Sequence, residues 1–332
     1  MLIKSRIIGV LMAYLCLFCM IFGGCEGINP HSRLGYYMDT VISITLYGDE
    51  YGCSLLIEEC MDICGEYDRR LSLSRYEYSE ISMLNAGLSK TVSLETAELI
   101  SRAIGYSKLS GGAFDISIAP ISRLWNFTSK NPTIPDDELI NSAVGKVDYT
   151  AITVDGERID FSVEGMQLDL GGIAKGFVAD KIREHLISSG VTSGIIDLGG
   201  NVVLIGAKPS GEPYLVGIKD PNGGGEPVCL LEVTDAAVVT SGTYERMFIY
   251  EGKKYHHILD ANTGYPSDTD IVSATIITKS AEKADALSTI CVLLGSEGAE
   301  ELLFEVDDVC AVFILEDGSI RYINGAEELI RN

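Results

Sequence analysis

The stretch SAEKADALSTICVLLG, residues 280–295, frames the reading of this chain. It has the marks of a helix. Ser280 stands where a hydroxyl caps a first turn, Glu282 puts negative charge near the positive end, and Gly295 follows the last apolar residue. Most of its body is apolar, including Ala284, Ala286, Leu287, Ile290, Cys291, Val292, Leu293 and Leu294. Yet Asp285 and Thr289, four residues apart, leave from one face with Ser288 beside them. A buried carboxylate without a partner is costly or gives up its charge. A bound cation is one candidate for that partner.

Strand patterns lie on both sides of this helix. Upstream they are predicted at 194–206, 214–219, 228–239, 246–259 and 271–278, with 246–259 folding back at EGKK and Gly199-Gly200 allowing a bulge or a close backbone contact within the first. Downstream come a helix near 297–305 and a hairpin turning at Asp317-Gly318. Toward the N-terminus, 38–48 alternates as a strand. Helices are predicted at 51–70, 94–109, 135–143 and about 172–188, and a hairpin at 151–162 turns at Asp155-Gly156. Helices and strands are mixed without strict βαβ alternation. The expected class is therefore α+β with largely antiparallel sheets and packed helices.

The 332 residues, 46% of them hydrophobic, suffice for a sizeable core. Part of the mean hydropathy of +0.20 comes from the start of the chain. There Lys4 and Arg6 precede an apolar run from Ile7 to Phe22, the pattern of a secretory signal and short for a membrane span. The run ends in FGGC, residues 22–25, which resembles a bacterial lipoprotein signal with Cys25 as the acylated residue. Phe22 stands where that pattern usually has Leu. The expected organisation is a signal at 1–24, a tether at 25–36 and one folded unit at 37–332, exported and anchored by lipid on the outer face of the cell membrane.

Removing the signal takes two positive charges from a net −23 and leaves −25. Such a surface repels nucleic acid and anionic lipid, and a nucleotide too unless a cation or helix terminus reverses the field locally. Six of the nine cysteines lie beyond Cys25, scattered and without a CxxC pair, and read as small buried hydrophobes.

Five further segments bear chemistry. LDLGGIAKGFVAD, 168–180, runs from Asp169 through a glycine turn into a helix, a geometry that offers free amides to an anion, with Lys175 one turn in. IIDLGGNVVLIG, 195–206, repeats the Asp-Leu-Gly-Gly in a strand context. TSGTYER, 240–246, gathers hydroxyls that suit a phosphate or sugar. YHHILDANTGYP, 255–266, follows it with two of the four histidines, and no GxSxG elbow accompanies them to support a serine hydrolase. GGAFDISIAPISRLWNF, 111–127, holds the sole tryptophan, Trp125, and reads either as core or as a wall for a flat ring.

Together with MDT (38–40), SEISMLNAG (79–87) and ADALST (284–289), these segments resemble the ApbE family, the FAD:protein FMN transferases, over nearly the whole chain past the signal. The resemblance implies a single α+β unit, related to the T-fold, that uses Mg²⁺ to split FAD. FMN would pass to a serine or threonine hydroxyl of a partner flavoprotein, with AMP leaving. The partner would be a membrane redox-complex subunit or an extracytoplasmic electron carrier whose acceptor motif resembles Asp-x-x-(Ser/Thr)-Gly-Ala-(Ser/Thr). The metal ligands carried over are Asp285, Thr289 and the carbonyl of Gly172, where relatives often have Ala. The FAD contacts carried over are Met38, Ala113, Phe114, Asp115, Asp169, Lys175, His257 and Leu259. His257 is the candidate for assisting the acceptor hydroxyl, with Asp169 as rival. An aromatic position before the SE motif falls to Arg75 or Tyr76. Two other activities fit the same residues: FAD hydrolysis by the same site, and flavin carriage without turnover.

Overall fold

The computed structural model describes residues 29–331 apart from 74, 128 and 130. The expected signal at 1–24 and the acylated Cys25 lie outside the described residues. Eight strands form one sheet in which every pairing is antiparallel, in the order β1-β2-β5-β6-β9-β12-β13-β14. They are β1 Pro30–Tyr37, β2 Thr40–Tyr47, β5 Gly194–Leu198, β6 Asn201–Ile205, β9 Ala237–Gly242, β12 Ile271–Thr278, β13 Cys310–Leu315 and β14 Ile320–Ile323. Three two-stranded ribbons stand apart: β3 Ile152–Asp155 with β4 Arg158–Phe161, β7 Tyr214–Lys219 with β8 Pro227–Val233, and β10 Met247–Tyr250 with β11 Lys253–His256. Among the described residues the α-helices are α1 Glu50–Leu71, α2 Glu80–Asn85, α3 Leu94–Leu109, α4 Ala119–Trp125, α5 Asp137–Val144, α6 Ala174–Ser188 and α7 Ala281–Phe304. The α+β expectation holds.

Both faces of the sheet are covered, which explains why its strands read as near-continuous apolar runs. Ile42, Ile44, Ile196, Val203, Val239, Ile276 and Phe313 join the main core with α1, α6 and α7. The alternate residues Leu204, Val238, Ile277 and Val312 pack beneath β7 and β8. A third cluster surrounds Trp125.

Local differences from the sequence reading have plain causes. Residues 30–36, expected within a tether, form most of β1, which pairs with β2 along its length, so the folded unit starts earlier than 37. Gly199-Gly200 is a hairpin turn rather than a bulge, with Leu198 opposite Asn201. Both glycines have positive φ. The stretch 228–239 is two strands in different sheets, divided at Asp235, whose φ is 49°. The β3–β4 turn sits one residue later than expected, between Asp155 and Arg158.

Helix α7 carries one break, at Gly295 (φ 70°, ψ 173°), a conformation nearly restricted to glycine. The second half starts afresh there, since the Asp270 carboxylate accepts from the Ser296 amide at 2.8 Å. The first half is capped twice. The Ser280 hydroxyl accepts from the Lys283 amide, and Asp180 of α6 accepts from the amides of Ala281 and Glu282 at 2.9 and 3.0 Å.

Helices α6 and α7 approach closely at Gly176. A Cβ there would lie 2.2 Å from the Ala281 carbonyl oxygen and 2.7 Å from the Asp285 Cβ. Backbone cannot swing aside, so Gly176→Ala should lower unfolding stability by about 2–3 kcal/mol. Gly105, mid-helix in α3 with nothing within 4 Å of a Cβ, gives the opposite sign: Gly105→Ala should raise stability by about 0.5–1 kcal/mol. Urea midpoints of the two variants check both.

Candidate active site

The strand registers bring several turns to one end of the sheet. Ile42 opposes Leu198, Leu198 opposes Asn201, Asn201 opposes Val239, and Gly242 opposes Ser273. The Met38-Asp39 turn, the Gly199-Gly200 turn and the end of β9 therefore share that end. Met38 and Asp39 both take positive φ, 51° and 57°, the twist that a two-residue hairpin requires. Met38 packs half-buried against the main core. Arg75 braces the turn: its guanidinium lies 3.7 Å from Asp39 and 3.3 Å from the buried Asp68, and it stacks on the rings of Tyr36 and Tyr76. Of the two residues proposed for the aromatic position, Arg75 is thus a clamp, with Tyr76 stacked against it.

The carboxylate of Asp285 is buried, and its partners come from the start of α6. Oδ2 accepts from the Gly176 amide at 2.9 Å and Oδ1 from the Lys175 ammonium at 3.3 Å. The N-terminus of α6 has no side-chain cap of its own. The anion seat expected at this glycine turn is filled by Asp285, reaching across from α7. Lys175 accordingly rests on Asp285 rather than standing free for phosphate.

Thr289 lies one turn along α7. Its hydroxyl is 3.2 Å from that of Ser241 and 3.4 Å from the Asp285 carbonyl, and the Ser241 and Ser288 hydroxyls are 2.8 Å apart. Gly172 closes the group. A Cβ there would sit 2.8 Å from the Phe114 ring and 3.7 Å from the Thr289 hydroxyl. Asp285, Thr289, Gly172, Lys175 and Phe114, quoted from three separate motifs, are neighbours. Among the described residues no group of three or more His, Cys, Asp or Glu side chains is placed to hold a metal. A cation at this position would meet one carboxylate, a hydroxyl and a carbonyl. That is a hard oxygen set, and it suits Mg²⁺ with water and phosphate completing the shell.

Asp169 is held by its turn: Oδ1 accepts from the Gly171 amide and Oδ2 from the Ser122 hydroxyl, both at 2.9 Å. Asp115 is similarly occupied. Its oxygens accept from the amide and hydroxyl of Ser117 at 2.7 Å and from the Tyr149 amide at 2.9 Å. Burial pushes its carboxyl up, and the bonds from Ser117 and Tyr149 pull it back. Both side chains shape the loops around Ala113 and Phe114. Leu259 is buried in the Trp125 cluster. Trp125 is core: it is fully buried, donates to the Gly264 carbonyl at 2.8 Å, and stacks on Phe127 and Tyr255.

His257 is anchored by its amide, which donates to the Arg246 carbonyl at 3.0 Å, while its Nδ1 is buried with no hydrogen-bond partner. Burial lowers its pKa to about 3, helped by Arg246, His256 and Lys175. Lys175 thus lies in the field of both His257 and Asp285. Sequence reasoning left Glu245 and Arg246 of TSGTYER unassigned. Desolvation by the surrounding protein pushes the Glu245 carboxyl up, against the pull of Lys175, Lys219 and Arg246. The hydroxyls of that motif are used internally, Thr240 with Thr275 and Thr243 with Lys254.

The ApbE family model matches residues 38–314. The chain belongs to the ApbE family. It is 33% identical to the FAD:protein FMN transferase of Treponema pallidum, across 98% of this chain and 95% of that one. It is 30% identical to one from Klebsiella pneumoniae, across 87% and 90%. The ApbE protein of Thermotoga maritima superposes with a TM-score of 0.84 at 29% identity, covering 92% of this chain and all of that one. The flavin transferase ApbE of Vibrio cholerae does so at 0.80 and 26% identity, covering 91% and 99%. Lys175, Phe114 and Asp285, from three of the ApbE motifs, lie together here.

Burial also depresses His256, to about 4. Both imidazoles have folded pKa values below the ordinary value near 6.5. Both should stay neutral from pH 8 down to pH 5, and the stability tied to them should decline only as pH falls below about 6.5. Nitrogen-15 histidine spectra across that range should show two rings that do not titrate.

Proposed function

We propose that this chain transfers FMN from FAD to a serine or threonine hydroxyl of a partner flavoprotein and releases AMP. In the balanced step the acceptor oxygen bonds to the FMN phosphorus and the bond from that phosphorus to the AMP oxygen breaks. The hydroxyl proton leaves through His257 or to solvent. The observation that carries the reading is the convergence of Asp285, Thr289 and Gly172 beside Lys175 and Phe114, within a fold shared along nearly its whole length with named transferases.

The residues divide the work. Asp285, Thr289 and the Gly172 carbonyl would hold Mg²⁺, which when bound supplies positive charge against the diphosphate and the departing AMP. Lys175 adds a charge that can turn from Asp285 to phosphate as Asp285 takes the cation. Phe114 and Met38 offer apolar surface for the flavin ring. His257, neutral and with a free buried Nδ1, orients the acceptor hydroxyl. A diphosphate bound nearby raises its basicity toward proton acceptance. Asp169, with both oxygens engaged, serves to hold the turn that presents Gly172.

The FGGC pattern supports a further part of the reading: export, with Cys25 acylated and the site facing away from the cytoplasm, beside membrane or extracytoplasmic acceptors.

The test incubates the mature chain with FAD, Mg²⁺ and an acceptor domain bearing the threonine motif, followed by flavin fluorescence on a denaturing gel. Transfer gives a covalent fluorescent acceptor band. FMN and AMP without the band would make the chain a hydrolase, and intact bound FAD would make it a carrier. Asp285→Ala should reduce transfer by more than about 100-fold, and Thr289→Val should raise the Mg²⁺ requirement while leaving the melting temperature near that of the parent. Cys25→Ser should move the protein from the membrane to the soluble fraction, and unchanged membrane fractionation would refute the anchor.

A further inference from the structure

The ribbon of β10 and β11 leaves the site and returns to it. It starts directly after Arg246 and ends directly before His257, and among the described residues it joins no other sheet. Its two faces differ. In the observed register Phe248 opposes Tyr255, and both rings stack on the Trp125 cluster (Phe248 with Tyr255 at 5.4 Å, Trp125 with Tyr255 at 5.6 Å). That face is fixed to the core. On the other face Met247 and Ile249 stand opposite His256 and Lys254. Met247 is 42% exposed, Ile249 67%, and Tyr250 at the tip 51%. Scattered single apolar residues on a surface need no explanation, but three on one short ribbon beside a reaction centre do.

The charge around them is also unusual. Residues 246–254 carry Arg246, Lys253 and Lys254 against one acid, Glu251, on a chain whose net charge is −23. A segment of neutral or acidic character is repelled by most of this protein and is least repelled here. The ribbon is held in shape before any partner arrives, so little ordering cost falls on its side of an encounter.

We propose that the exposed part of the β10–β11 ribbon, Met247 and Ile249 on its outer face with Tyr250 and Lys253 at its tip, is the docking surface for the acceptor protein. The acceptor lays an extended, neutral-to-acidic segment along the ribbon and is led by it to His257. This rests on the transferase reading, because a hydrolase needs no such surface. The apolar side chains supply contact area, the lysine supplies charge selection, and the root of the ribbon fixes where the acceptor hydroxyl arrives.

The experiment uses the full mature chain with the double substitution Met247→Ser/Ile249→Ser and, as a control, Leu34→Ser on β1, where the parent residue is 68% exposed. Two reactions are followed: covalent flavin on an acceptor domain bearing the threonine motif, and FMN release from FAD without acceptor. The expected result is a KM for the acceptor raised by at least tenfold in the double variant and by less than twofold in the control, with the KM for FAD and the acceptor-free release unchanged. Lys253→Glu should raise the KM for the same acceptor while leaving the FAD terms alone. An acceptor KM within twofold of the parent in the double variant overturns the proposal. So does loss of binding to vesicles of phosphatidylglycerol and phosphatidylethanolamine with acceptor KM intact, which would assign the face to a lipid surface. Absence of any covalent band with the parent chain, FMN still being released, overturns the transferase reading itself and the proposal with it.

Discussion

The structure depends on one carboxylate crossing between two helices. Asp285 leaves α7 and is received by the Gly176 amide and the Lys175 ammonium at the start of α6. The bond is charge-assisted and largely shielded from water, so it is worth more than a surface contact. It can form because residue 176 has no side chain, which lets the α6 backbone approach the Ala281 carbonyl. Asp180 completes a reciprocal arrangement: α6 caps α7 through Asp180, and α7 supplies the anion for α6 through Asp285. Each helix end satisfies groups that the other would leave orphaned.

That arrangement presets the chemistry. The carboxylate is aimed by protein groups, so little reorganisation would precede the binding of a cation beside it. Ser241 ties the end of β9 to Ser288 and Thr289, fixing the helix rotation that sets Thr289 beside Gly172. Asp169 and Asp115 spend their oxygens on loop geometry. The acidic bulk of the chain is relieved near the reaction centre by Lys175, Lys219 and Arg246, which act on Glu245 and, in the case of Lys175 and Arg246, on His257.

Much of this was legible in the residues. The polar pair at 285 and 289 in an apolar helix announced a demand for compensation, and the Asp-Leu-Gly-Gly turn before a helix announced an anion seat. What the residues could not show was that each answers the other, since the two lie 109 positions apart and only tertiary packing joins them. The strand at 194–206 misled for a related reason. Both sheet faces are buried, so no alternation marks where one strand ends and the next begins. Residues 30–36 looked like tether because an edge strand with exposed side chains has no apolar signature. Asp115 and Asp169 could be placed near the site but not distinguished as scaffolding, because their roles are set by which amides fold toward them.

Gly295 carries a consequence for how such a chain varies over evolutionary time. In an uninterrupted helix, each residue inserted would swing everything on one side of it by roughly 100° relative to the other. The break at Gly295, with Asp270 starting a new turn at Ser296, uncouples the two halves. The distal segment can be lengthened, trimmed or re-surfaced without altering the angle at which Asp285 and Thr289 meet their neighbours.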